Sequence, residues 1–401
     1  MKALTMAVVL VLGACSTSSG AVGNHSTPSV EASTAPSVQS SGSPSAQASG
    51  SPSASASSGL QAVKFSCVGP VPVNHALALV TLIGSDRTVV RDVSNPARGQ
   101  TVCTFAVRLE NARFVSATRV GYVLVGGGAA AAIYVADLAA GTSRLVITVP
   151  DGILGLPAWS PDGNSFSYVD SGRNSGPEWH LITSGTDRTL ITLPIEKLVD
   201  TNPDWADLYL SFSPDGTKVA FLQRLAASPT GDPFATLDIS DLSGAPLIHV
   251  GGVTMATWSK RYLYFYDNGL DIVRFFQPGT TVLGGVGLSP QWIQPSSSPD
   301  GRYIAYTSQL SSGAHHVRLW DTTSSDNALS PGPRVGAVFL SQDLIWYAEE
   351  TPCQSICPMG GPAQTGKTFI YELSSGTEAA SVISFVYDSW PHLGAGRLNR
   401  G

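Results

Sequence analysis

One phrase recurs in this 401-residue chain and constrains its fold more than any other feature. Trp159-Ser160-Pro161-Asp162-Gly163 returns as Phe212-Ser213-Pro214-Asp215-Gly216 and again as Ser297-Ser298-Pro299-Asp300-Gly301. Each copy precedes a short apolar run: Phe166 to Val169, Val219 to Leu222 and Tyr303 to Tyr306. Proline presets φ for a turn, aspartate bonds its own backbone and glycine accepts a positive φ, so each phrase reads as a hairpin. Degenerate copies keep the second strand and change the turn. They are Phe114-Val115-Ser116 before Gly121 to Val125, Trp258-Ser259-Lys260 before Tyr262 to Tyr266, and Leu340-Ser341-Gln342 before Leu344 to Tyr347. From Phe114 onward the six starts are spaced by 45, 53, 46, 39 and 43 residues. A period of about 40 to 50 residues is that of a four-stranded propeller blade.

After most hairpins a third strand ends in a turn, as in Ile133 to Leu138, Leu237 to Leu242, Val317 to Asp321 and Phe369 to Leu373, and a shorter fourth strand follows, for example Leu145 to Val149. Residues 76–107 hold three strand-like runs without an inner-strand phrase, whereas Phe385 to Trp390 resembles an inner strand without a blade. Joined, these ends make a seventh blade and remove the exposed sheet edge. The expected fold is therefore all-β: a propeller of seven four-stranded blades over 61–401, closed by strands from both termini, with six or eight as the neighbouring counts. A helical chain is excluded, because Gly and Pro punctuate every segment before a helical period can establish itself. The Trp/Phe-Ser-Pro-Asp-Gly phrase with its following Ala-Tyr or Ala-Phe strand resembles the WD-like repeats of TolB-type propellers, over about residues 62 to 395. That resemblance implies protein or ligand binding in a bacterial envelope. Prolyl oligopeptidases share this kind of repeat but add an α/β-hydrolase domain, and here neither a Gly-x-Ser-x-Gly elbow nor the residues for such a domain exist.

The N-terminus begins Met1-Lys2, continues as an apolar stretch from Ala3 to Leu12 and reaches Leu12-Gly13-Ala14-Cys15. This reads as a signal peptide over 1–14. The apolar run falls well short of the roughly 20 residues that span a bilayer. Its end resembles the lipobox of bacterial lipoproteins, in which cleavage just before the cysteine is followed by thioether attachment of a diacylglycerol. That resemblance implies lipidation at Cys15, and two acyl chains give stable anchoring where one does not. Residues 16–59 are almost entirely Ser, Ala, Pro, Gly, Thr and Val, with no aromatic residue, no Lys or Arg and one carboxylate, Glu31. A segment of this kind cannot bury enough apolar surface to fold, so 15–60 reads as a disordered stalk whose reach as a coil is about 35 to 40 Å. Its Ser, Thr and Pro would also permit O-linked sugars.

The remaining cysteines are Cys67, Cys103, Cys353 and Cys357. In an exported chain they read as two disulfides, with three formal pairings; proximity favours Cys67 with Cys103 and Cys353 with Cys357. Cys353-Gln-Ser-Ile-Cys357 lacks the second ligand pair of a zinc site. Net charge is −6 with the two signs interspersed, so no basic stripe is available for nucleic acid. Gly361 to Thr368 matches the phosphate-binding P-loop pattern literally. The motif works only between a strand and a helix; here a strand follows, and the expectation is a Gly/Pro-rich blade loop with no nucleotide. His25, His75, His180, His249, His315, His316 and His392 are read as surface or packing residues, and adjacent His315 and His316 point to opposite faces of a strand. Asp200, Asp204 and Asp207 fit no calcium loop and read as a solvated connection. No metal, cofactor or catalytic constellation is expected.

The long insertions fall between second and third strands (170–179, 223–234, 349–368) or between blades (194–207, 287–295), and in a propeller all of these emerge on the face opposite the Pro-Asp-Gly turns. Function commonly resides on long loops held by a rigid scaffold. That face is the expected binding face, with Arg173, Trp179, Trp205, Arg224 and Trp292 as contacts, since Trp and Arg dominate interface energetics. The sequence thus points to a membrane-attached, extracytoplasmic module that binds an envelope protein or cell-wall glycan. The competing reading is a cell-wall lyase or glycosidase working in the central channel. Mass spectrometry of the exported chain should find an N-terminal Cys15 carrying a diacylglycerol, and Cys15→Ser should leave the leader uncleaved and the chain unlipidated.

Overall fold

The computed structural model describes residues 60–390, except 95–98, 110–111, 127–129, 173–175, 193–206, 225–234, 268–271, 278–282, 286–292, 310–313, 324–325, 330–331 and 352–362. Its described residues form strands and turns throughout. Six antiparallel blades follow one another in sequence: blade 1 (112–149), blade 2 (153–192), blade 3 (207–251), blade 4 (253–285), blade 5 (293–328) and blade 6 (334–380). In each, sequence order runs from the innermost strand outward.

Blade 7 is built from both ends of the fold. Ile383–Trp390 supplies its innermost strand and pairs antiparallel with Leu77–Leu82, placing Leu77 opposite Trp390 and Leu82 opposite Ile383. Thr88–Asp92 and Thr101–Phe105 complete the four expected strands. A fifth, Phe65–Cys67, pairs outside Thr101–Phe105 and is an addition to the four-stranded expectation. It is pinned there by the Cys67–Cys103 disulfide, whose two residues face each other in the register. Cys353 and Cys357 lie outside the described residues.

Six hydrophobic clusters lie between the blades and account for all seven interfaces. One spans blades 1, 2 and 3, and the others fill the junctions of 3 with 4, 4 with 5, 5 with 6, 6 with 7 and 7 with 1. Packing is tight enough to dictate residue size. A Cβ added to Gly121 of blade 1 would stand 2.3 Å from the ring of Trp159 in blade 2, so the glycine supplies the space the indole occupies. Residues 57–401 form one compact unit, and every member of the six clusters falls within it. The unit therefore carries its complete core without the first 56 residues.

The recurring phrase builds its turn as its residues dictate. Gly163, Gly216 and Gly301 take φ of +72°, +69° and +72°. The aspartates accept the amides of Asn164, Thr217 and Arg302, each at 3.0 Å. The serine preceding each proline is buried: its hydroxyl donates to the turn aspartate (2.5, 2.5 and 2.7 Å) and accepts the amide five residues on (2.9, 3.0 and 2.9 Å). This closes the hairpin from inside.

These bonds hold carboxyls below the ordinary aspartate range. At Asp162 the Ser160 hydroxyl is the main cause. At Asp215 and Asp300 burial pushes upward, but bonds from Ser213 and Thr217, and from the Arg302 amide, Ser298 and Gln342, outweigh it. Asp321 follows the same pattern: burial opposes, yet two hydrogen bonds from Arg302 (3.1 and 2.8 Å) and others from Thr323 bring it down to about 2. A carboxyl depressed in the folded state stabilises the fold in full above its unfolded value of about 3.8 and loses that contribution as pH falls toward its folded value. The melting temperature should accordingly fall between about pH 4 and pH 2, and Asp321→Asn should flatten part of that dependence in thermal melts recorded against pH.

Candidate functional site

The two ends of the propeller are built differently. At the end carrying the Pro-Asp-Gly turns, the connections from first to second strand are short: 117–118, 160–164, 213–217, 259–262, 298–302 and 340–343. At the opposite end the connections include 171–177, 193–206, 225–234, 286–292 and 352–362. The chain thus places its length at one end of a ring whose other end is closed by tight, internally bonded turns.

A charged network occupies blades 5 and 6 toward the long-connection end. Arg334 opens the innermost strand of blade 6, and its guanidinium lies 4.1 Å from the centroid of the Phe369 ring. From there Nη2 reaches Glu378 Oε1 on the fourth strand at 3.1 Å, with Nη1 3.7 Å from Glu349 Oε1. The Tyr347 hydroxyl donates to the other oxygen of Glu378 at 2.6 Å. Burial, and then the neighbouring Glu378 carboxylate, push that phenol above the ordinary tyrosine range, so it remains a donor. Lys367 Nζ stands 3.4 Å from Glu349 Oε2. Beside this group, Glu350 of blade 6 accepts both the backbone amide (2.9 Å) and the Nδ1 contact (2.5 Å) of His315 in blade 5. Each carboxylate is bound by a donor, so the network fixes two blades relative to one another, and removing one partner would strand a buried charge.

The innermost strands carry two guanidinium groups, Arg113 and Arg334, and two carboxylates, Asp207 and Asp388. Arg113 of blade 1 is buried, and its Nη1 donates to the Leu210 carbonyl of blade 3 at 3.0 Å, reaching past blade 2 on the axial side of the ring. Next to it, Asp388 of blade 7 accepts the Phe114 amide at 2.9 Å. Blades 2 and 3 also join directly, through a parallel contact of Tyr209 with Leu156. Arg113 and Asp388 are thus both buried and tied to neighbouring strands.

The candidate contacts separate on inspection. Trp179 is a correction: it is 1% exposed, packs against Phe221 of blade 3 with ring centroids 4.9 Å apart, and its indole N–H donates to Ser167 Oγ at 2.7 Å. The third strand of blade 2 starts at Glu178, so Trp179 belongs to the sheet and points into the core; it cannot contact a partner. Arg224 ends the second strand of blade 3, opposite Asp207 and Ala235. Arg173, Trp205 and Trp292 lie outside the described residues, as do Cys15, Asp200, Asp204, His25 and His392; Asp207 opens blade 3. His75, His180, His249 and His315 each pair with a carboxylate: Asp92, Asp187, Asp238 and Glu350. Among the described residues no three or more His, Cys, Asp or Glu side chains are grouped to hold a metal ion. Residues 363–368 of the P-loop match form the start of the strand Ala363–Glu372, correcting the loop expectation and leaving no helix N-terminus to face a phosphate. Sequence reasoning missed the Arg334 network, whose members meet only once four strands of a blade are laid side by side.

No family model matches the chain, and no curated protein matches it. Among solved structures it is similar to TolB from Acinetobacter baumannii, with 17% identity, 80% of this chain and 82% of that chain covered, and a TM-score of 0.42. It is also similar to the β-propeller domain of the Trilobed protease from Pyrococcus furiosus (10% identity, 79% and 95% covered, TM-score 0.48). An oligogalacturonate lyase in complex with manganese shows 12% identity over 79% of this chain and 85% of that one, with a TM-score of 0.46.

The placement of Trp179 sets a test. Trp179→Ala should cost about 3 to 5 kcal/mol of stability in denaturant unfolding by opening a cavity between blades 2 and 3. Leu145→Ala, at a side chain that is 50% exposed, should cost under about 0.5 kcal/mol, as surface substitutions do.

Proposed function

We propose that the chain is an extracytoplasmic lipoprotein whose propeller is a non-catalytic binding or scaffold module, presenting its long-connection face to an envelope protein or cell-wall glycan. The observation that supports this most is the allocation of chain length: five long connections stand at one end of a rigid ring, and short turns close the other. Rigid strands with long loops at one end are the arrangement in which binding residues are positioned without reshaping the scaffold. The bonded state of the described carboxylates favours the same reading, since Glu349, Glu350, Glu378 and Asp388 all hold structural partners. Acid–base chemistry on a glycan would instead need two carboxyls facing a shared substrate at a defined separation. Attachment through Cys15 and the stalk would confine the module to the membrane surface.

The channel offers the second reading: Asp207 and Asp388 on innermost strands, with Arg113 beside the latter, are the groups a lyase or glycosidase would use. One experiment separates the two. The unit Ser57–Gly401 is used to capture partners from detergent-solubilised envelope, beside Trp205→Ala/Trp292→Ala and Asp388→Asn variants of it. Binding predicts a retained protein or glycan that the tryptophan pair reduces at least tenfold and Asp388→Asn leaves unchanged. Shortened glycan products that disappear with Asp388→Asn would establish the enzyme reading instead.

A further inference from the structure

Exposed aliphatic side chains are few among the described residues, and four of them gather at one place. Ile83 (56%), Val107 (45%), Val125 (68%) and Val382 (58%) are all exposed at the long-connection end of blades 7 and 1. Backbone bonds knit this corner together. The Ile83 amide donates to the Val382 carbonyl at 3.0 Å, Thr88 to Val107 at 3.2 Å, and Ala106 to Lys64 at 2.9 Å. The chain also enters the propeller here. Residues 60–64 lie along blade 1, with the Tyr134 hydroxyl donating to the Leu60 carbonyl (2.7 Å) and the Val63 amide donating to the Tyr122 hydroxyl (3.1 Å). The Leu60 side chain sits against Gly126, the residue after Val125.

The same corner carries three exposed cations, Lys64, Arg87 and Arg108, the last also donating to the Tyr387 hydroxyl at 3.0 Å. Asp86 is the single acidic residue within 60–64, 83–88, 106–109 and 381–383. Among the described residues of this corner, three cations thus stand against one anion in a chain of net charge −6, with Glu110, next along the chain, lying outside the described residues. That segment, 16–59, contains no Lys or Arg, so any electrostatic attraction to a membrane must come from the folded unit.

We propose that this corner of blades 7 and 1 docks on an anionic lipid bilayer, its aliphatic side chains at the headgroup boundary and its three cations on lipid phosphates; the proposal deepens the anchored reading above and rests on it. Shallow burial of a few aliphatic side chains, assisted by cations each worth about fivefold in partitioning, is how a surface patch adds to a lipid anchor. With a coil of about 35 to 40 Å reach between Cys15 and Leu60, the anchor would keep this corner within contact of the bilayer at high effective concentration. Docking would turn blades 7 and 1 toward the membrane and leave blades 3 and 4, across the ring, farthest from it.

The test uses the unit Ser57–Gly401, which lacks Cys15, in sedimentation with vesicles of phosphatidylglycerol and phosphatidylcholine or of phosphatidylcholine alone at low salt. The unit should sediment with the anionic vesicles. Lys64→Gln/Arg87→Gln should weaken partitioning about 25-fold, two cations at about fivefold each, and Ile83→Ser/Val382→Ser should weaken it independently. Leu247→Ser, which removes an exposed aliphatic side chain from blade 3, should change nothing. Circular dichroism confirms that each variant is folded. Absence of sedimentation, equal binding to both vesicle types, or undiminished binding by either double variant would overturn the docking surface. The mass of the exported full chain tests lipidation at Cys15 separately, so the two claims fail independently.

Discussion

The ring depends on a single pairing between segments far apart in the chain, Ile383–Trp390 against Leu77–Leu82. Until it forms, blade 7 lacks its innermost strand, blade 6 lacks a neighbour for Val335, Val338 and Trp346, and Phe114 of blade 1 lacks the Asp388 acceptor. The contact is reinforced side by side: Thr81 with Tyr387 at 3.0 Å, Ser384 with the Thr81 carbonyl at 2.8 Å, and Ser389 with the Phe339 carbonyl of blade 6 at 2.7 Å. A closed ring leaves no innermost strand with an open neighbour, and closure of a long loop costs entropy only once. Because each apolar cluster is shared by adjacent blades, that one pairing adds interfaces on both of its sides.

Much of this was legible because the repeat is written in turn chemistry. Proline, aspartate and glycine have fixed backbone roles, so three copies at blade-length spacing determine both hairpin and period. The closure was legible as well, since Phe385 to Trp390 carries the inner-strand pattern with nothing following it. What the phrase does not announce is the role of its serine. Ser160, Ser213 and Ser298 appear polar and solvent-suited, yet each is buried and bonds its hairpin from inside. The added strand Phe65–Cys67 was implicit in the cysteines, because a disulfide between Cys67 and Cys103 requires the two segments to lie side by side.

Trp179 shows where local reasoning failed and what would have corrected it. Counted as the end of a long connection, it looked like an interface anchor. Read with its neighbours as Glu178-Trp179-His180-Leu181, it alternates with a residue that is fully buried, and strand periodicity sends Trp179 and Leu181 to the same face. The P-loop match fails for the same reason: Phe369, Tyr371 and Leu373 face the core between blades 5 and 6 on a two-residue period that a helix could not satisfy. Arg334, Glu349, Tyr347 and Glu378 gave no such signal. Their spacing means nothing until three hairpins superpose them, and the charge pattern of a single strand cannot reveal a network that crosses a blade.

Rigidity and charge are distributed in complementary ways. At the turn end, serine and aspartate satisfy their own hairpins, so polar groups there are consumed by the fold. Toward the other end, Arg334 to Glu378 ties the strands of blade 6 together, and His315 to Glu350 ties that blade to blade 5, near the long connection 352–362. A binding loop gains affinity when its base is preorganised, because less freedom is lost on contact. A largely buried ion pair such as Arg334 with Glu378 contributes little net stability against an apolar alternative, so its placement is better explained by positioning than by folding energy. Beside blade 6 on the same face, blades 7 and 1 leave cations and aliphatic side chains unburied. One face of the ring thus combines a fixed loop base with an exposed basic and apolar corner, and a propeller that must address both a partner and a membrane would need both.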